Sequence, residues 1–106
     1  MNEMIAKLRE FRDERDWKQF HNPKDLALAL SIEAGELLEV FLWKSSEDAD
    51  LERVREELAD VFSFALLLAD TYDFDVQQIV LDKIEQNKKK YPVNKSKGSA
   101  KKYTEL

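Results

Sequence analysis

The segment LALALSIEAGELLEVFLWK, residues 26–44, is apolar around most of its circumference, yet it carries Glu33, Glu36 and Glu39 at intervals of three. A lone carboxylate in such a run costs several kcal/mol unless it is protonated, paired or bound to a metal. Any fold this chain adopts has to supply one of those three remedies.

The rest of the composition says what kind of fold that is. Only two Gly and two Pro interrupt 106 residues, and 43% are hydrophobic against 37% charged, which points to long helices and one all-α domain spanning residues 1–106. Without cysteine there is no disulfide framework, thiolate nucleophile or zinc knuckle. The amino-terminal stretch MNEMIAKLREFRDERDW is charged and helix-periodic, unlike a signal peptide. The run Val61–Ala69 is too short to span a bilayer. A soluble cytoplasmic protein is expected, with no membrane partner.

Four helices are predicted. The first covers about residues 2–15. The second starts at Asn22-Pro23, an N-cap followed by a residue preorganised for the first helical position, and runs to about Lys44. The third spans about 49–72 after the Ser- and Asp-rich break SSEDAD. The fourth, about 76–90, opens with Asp75 and Gln78 in capping-box spacing. Pro92 ends it, and residues 92–106 read as an irregular basic arm. Helices two and three are too apolar for a four-helix bundle of this size to bury alone, so the core is expected to be completed by oligomerisation.

Glu33 and Glu36 share one face of the second helix, and Glu57 and Asp60 repeat that spacing on the third. In an antiparallel pair the four carboxylates converge, and their repulsion is relieved by a divalent cation or by ion pairs with neighbours. An all-oxygen set favours Mg²⁺, with Mn²⁺ as a substitute. A carboxylate di-iron centre is not expected, because the single histidine, His21, has no Glu three residues before it. Trp43 and Phe64 fall on the carboxylate stripes, either as core or as aromatic walls for a flat base carrying phosphates. Charge is split along the chain: residues 1–82 hold nine Lys and Arg against twenty Asp and Glu, whereas residues 83–106 hold eight Lys against two Glu. A basic tail of this kind meets nucleic acid or an anionic ligand.

ERDWKQFHNPKDLALALSIEAGELLEVFLWK, REELADVFSFALLLA and the terminal KGSAKKYTEL closely resemble the all-α MazG-like nucleoside triphosphate pyrophosphohydrolases, especially the dCTP pyrophosphatase branch. The resemblance runs from about residue 8 to the end. It implies Mg²⁺ ligands at Glu33, Glu36, Glu57 and Asp60, and nucleotide contacts from Trp17, Lys18, Gln19, Phe20, His21 and Trp43. It implies cleavage of the α–β phosphoanhydride of a dNTP, dCTP-like substrates favoured, by homotetramers or dimers. Two departures stand out: Ile32 replaces the first acid of the wider MazG motif, as in the dCTP pyrophosphatase branch. Phe64 stands where that branch has a substrate-contacting Tyr, keeping the ring and losing the hydroxyl.

Glu39 lies about 60° round the helix from Glu36, a candidate general base or a partner in an ion pair between subunits. Lys83, Asn87 and Lys90 form one stripe that faces either solvent or the substrate phosphates. A nucleic-acid partner is not expected on this reading. Two alternatives are kept: a helical scaffold whose basic tail meets a partner, and a relative that binds nucleotide without hydrolysing it.

Overall fold

The computed structural model describes residues 1–106, and no strand occurs. The chain divides into two compact units, Met1–Phe74 and Asp75–Leu106.

In the first unit, α1 (Asn2–Glu14), α2 (Pro23–Glu39) and α3 (Leu51–Thr71) pack around Leu26, Val40, Leu66, Leu67 and Ala69. Helix α2 begins as its sequence dictates. Asn22 Oδ1 accepts the Asp25 N–H at 2.9 Å while its Nδ2 donates to Asp25 Oδ2 at 2.7 Å, and Pro23 fills the first turn, where no N–H is needed. Helix α3 is capped by Asp50, whose carboxylate accepts from Glu52 N at 3.0 Å. Arg9 of α1 forms an ion pair with Asp70 of α3 through two nitrogens, tying the first helix to the end of the third. The hydrogen bond to Arg9 holds the Asp70 carboxyl below its ordinary pKa.

The end of α2 differs from expectation. The helix stops at Glu39 rather than near Lys44. From Val40 onward the amides reach back three residues, Val40 to Leu37, Phe41 to Leu38 and Leu42 to Glu39. Trp43 then adopts a left-handed φ of 59°. The cause is tertiary: Val40 and Ala49 are buried at the two ends of the connection and draw the chain round toward α3. Trp43 is therefore carried off the Glu36 stripe and is 94% exposed.

In the second unit, α4 (Val76–Lys90) is capped by Asp75 Oδ1, which accepts Gln78 N–H at 3.0 Å. Only half of the capping box forms, because the Gln78 side chain donates to Asp82 instead. The arm is more ordered than expected: it holds a one-turn helix, α5 (Val93–Ser96), and a 3₁₀ turn at Tyr103–Glu105. Tyr91 and Tyr103 meet edge to face at 6.0 Å. No helix is long and apolar enough to cross a membrane.

Candidate metal and nucleotide site

Helices α2 and α3 bring Glu33, Glu36 and Glu57 together, with one carboxylate oxygen of each within 4.8 Å of the others. Glu33 and Glu57 lie equally far in sequence from the midpoint of the connection, as an antiparallel hairpin requires. Burial is the largest influence on Glu33, followed by hydrogen bonding and repulsion from Glu36 and the charges of Asp60 and Glu57. Together they raise its pKa from 4.5 to about 7. Burial and Glu36 likewise push Glu57 upward. Glu33 Oε2 and Glu57 Oε2 are buried and have no hydrogen-bond partner. Converging oxygens, two of them orphaned, are what a hard divalent cation satisfies, so the donor set fits such an ion.

Asp60, one turn beyond Glu57, lies outside the tight trio but acts on Glu33 and Glu57 by its charge. It also lines a hollow of about 380 Å³ in the first unit, a volume within the range of ligand pockets. The walls are Leu8, Phe11, Trp17, Phe64 and Leu67, and the polar groups are Arg12, His21, Asp60 and Ser63. Trp17 stands edge-on to Phe11 at 5.7 Å, and His21 faces the Phe64 ring at 6.4 Å. His21 Nδ1 is buried without a partner. Burial, and to a lesser extent the Arg12 charge, lower its pKa and keep the ring neutral.

Lys18 lines a second, polar hollow with Arg9, Asp13, Asp70 and Asp73, which shares Arg12 and His21 with the first, while Gln19 turns back to donate to the Asp16 carbonyl at 2.9 Å. Phe20 is 61% exposed. Glu39 is exposed at the last position of α2, outside the trio. In the second unit Lys83 and Asn87 line a shallow hollow with Ile79, Val80 and Ile84. Lys90 Nζ sits 4.9 Å over the Tyr103 ring.

Arg12 was not among the expected residues. It is the one buried charged residue of the chain and a wall of the hollow. The signal was present: Ile5, Leu8 and Arg12 follow the i, i+3, i+7 inward stripe of α1. A charge on such a stripe marks a position that needs a partner.

The family model described as MazG-like matches residues 28–106. Among curated proteins, dCTP pyrophosphatase 1 of Bos taurus is 46% identical and that of Mus musculus 44%, each covering 92% of this chain. The chain spans 62% of the length of these relatives. A solved pyrophosphatase from Archaeoglobus fulgidus superposes with a TM-score of 0.78 at 43% identity, covering 87% of this chain and 92% of its own. An all-α chain with paired acids on two packed helices, matched by that model over most of its length, belongs to the MazG-like family.

Proposed function

We propose that the chain is a Mg²⁺-dependent nucleoside triphosphate pyrophosphohydrolase that converts a dNTP, with dCTP-like substrates favoured, to the dNMP and pyrophosphate. The observation that carries this is the convergence of Glu33, Glu36 and Glu57 beside an aromatic-walled hollow into which Asp60 also faces. The similar proteins named dCTP pyrophosphatase support the same reaction.

Glu33, Glu36, Glu57 and Asp60 would hold the cation. When bound, Mg²⁺ supplies neutralisation of phosphate charge and an acidified water. Glu39, exposed at the last position of α2 and outside the trio, is assigned the role of accepting the proton of the attacking water. Trp17 and Phe64 hold the base by its faces, and His21 offers a ring nitrogen to its edge. Lys18, Gln19, Phe20 and Trp43 are assigned to nucleotide contacts, and Lys83, Asn87 and Lys90 to the phosphates, on the strength of the family resemblance. Dimers or tetramers are part of the proposal: Leu28, Ile32, Leu38 and Phe62 expose more than half of their surface. A cytoplasmic location and the absence of a nucleic-acid partner are part of the same proposal.

Glu57→Gln tests the reading. It keeps the side-chain shape and removes one donor charge, so turnover of dCTP is expected to fall by about 100-fold or more with helicity unchanged. Unaltered turnover would sink the shared-metal site. A scaffold instead predicts no pyrophosphate release from wild type, and an inactive relative predicts nucleotide binding without products.

A further inference from the structure

The hollow beside the carboxylates is apolar but for four residues, and two of these are already engaged. Asp60 belongs with the carboxylates, and Ser63 Oγ donates to the Ala59 carbonyl at 2.9 Å. That leaves His21, whose Nδ1 has no partner, and Arg12. The Arg12 side chain is 9% exposed, and its hydrogen bond within the chain runs from Nε to Asp13 Oδ1 at 2.8 Å. The two terminal NH₂ groups, four N–H donors in a planar fork, make no hydrogen bond within the chain, although the Arg12 charge also acts on Asp70 at the polar hollow that shares this residue. Asp13 takes only one of the five N–H donors, and the terminal ones stay accessible to a ligand. The Arg12 backbone carbonyl accepts the Trp17 N–H at 3.1 Å, so the same residue also fixes the aromatic wall.

We propose that Arg12 is a specificity-determining residue whose guanidinium reads the acceptor edge of a cytosine ring held in this hollow. The inference rests on the pyrophosphohydrolase reading for its substrate class. Cytosine presents two adjacent acceptors, O2 and N3, which match two parallel N–H groups of a guanidinium, and beside them an amino group that donates to His21 Nδ1. Uracil and thymine carry an N3–H in place of the acceptor and a carbonyl in place of the amine. Against this pair of residues they set donor against donor at Arg12 and acceptor against acceptor at His21, and leave those groups unmatched.

The test compares kcat/KM for dCTP and dUTP in wild type and Arg12→Met with Mg²⁺ present, and the affinity of each protein for dCMP and dUMP. Wild type is expected to favour dCTP, and Arg12→Met to lose at least 10-fold of that preference, by losing dCTP activity rather than by gaining dUTP activity. Arg12→Lys, which keeps the charge but not the fork, is expected to recover only part of it. To separate base reading from packing at Arg12, wild type is also assayed with 3-deaza-dCTP, which lacks the N3 acceptor. A drop of 10-fold or more against dCTP is expected. Equal use of dCTP and 3-deaza-dCTP, no preference of wild type for cytosine, or equal losses on dCTP and dUTP in a folded Arg12→Met would each overturn the assignment. If wild type turns over no triphosphate, the pyrophosphohydrolase reading falls by itself. The dCMP and dUMP affinities, and their dependence on Arg12, then still decide the role of this residue.

Discussion

Removing the charge of Glu33 should stabilise the metal-free protein, which is the reverse of what deleting a native polar contact usually does. Its carboxyl is raised from an ordinary 4.5 to about 7 by burial and by Glu36, Asp60 and Glu57. The folded chain therefore binds more protons than the unfolded chain between these values, so the contribution of Glu33 to stability declines as pH rises from about 4.5 to 7. At about 1.4 kcal/mol per tenfold change in proton affinity, the ionised form is disfavoured by about 3 kcal/mol. Solvent screening at a partly exposed carboxylate reduces this to about 1–2 kcal/mol. Glu33→Gln keeps the shape, cannot ionise, and gives Glu36 a hydrogen-bond donor. In EDTA near pH 8 it should melt about 5–10 °C above wild type, and near pH 4.5 the two should coincide. Excess Mg²⁺ should narrow or invert the gap, because wild type gains the stabilisation of a bound ion and the variant gains less. The assay is thermal unfolding by circular dichroism at equal protein concentration across this pH range. Asp13 and Asp70, whose carboxyls are held low by Arg12 and Arg9, titrate below the window and cancel in the difference. A variant that melts below wild type near pH 8 in EDTA would refute the claim that the cluster is strained by its own charge.

Two further substitutions test the fold and its assembly. Asn22→Ala removes both halves of the cap on α2, costing about 1 kcal/mol and lowering the melting temperature by about 4–8 °C, with the metal-dependent stabilisation intact. Phe62→Asp places a charge on an exposed apolar face of α3 and should shift the protein toward monomer in light scattering; an unchanged mass would remove that face from the proposed interface.

Much of this architecture is written in short-range chemistry. Asn22-Pro23, Asp50 and Asp75 each cap the helix that follows, because a side-chain oxygen two or three residues before a free amide needs no tertiary help. The three glutamates of the trio are legible from spacing on two helices, since i and i+3 share a face whatever packs against it. The end of α2 is not legible, because Val40, Phe41, Leu42 and Trp43 continue the apolar pattern without a polar break. Only burial of Val40 and Ala49 turns the chain there. Arg12 is hidden for a different reason: its charge reads as surface until α1 is docked on α3 and its stripe faces inward. Glu39 shares the spacing of Glu33 and Glu36 but sits at the last position of α2 and stays exposed.

The most direct test of the central claim is product analysis of dCTP incubated with the protein in Mg²⁺ and in EDTA. The carboxylate cluster beside the aromatic-walled hollow, read as proposed, predicts dCMP and pyrophosphate in equal amounts with Mg²⁺ and none in EDTA. Products that are independent of the metal, or dCDP and phosphate in place of dCMP and pyrophosphate, would contradict it.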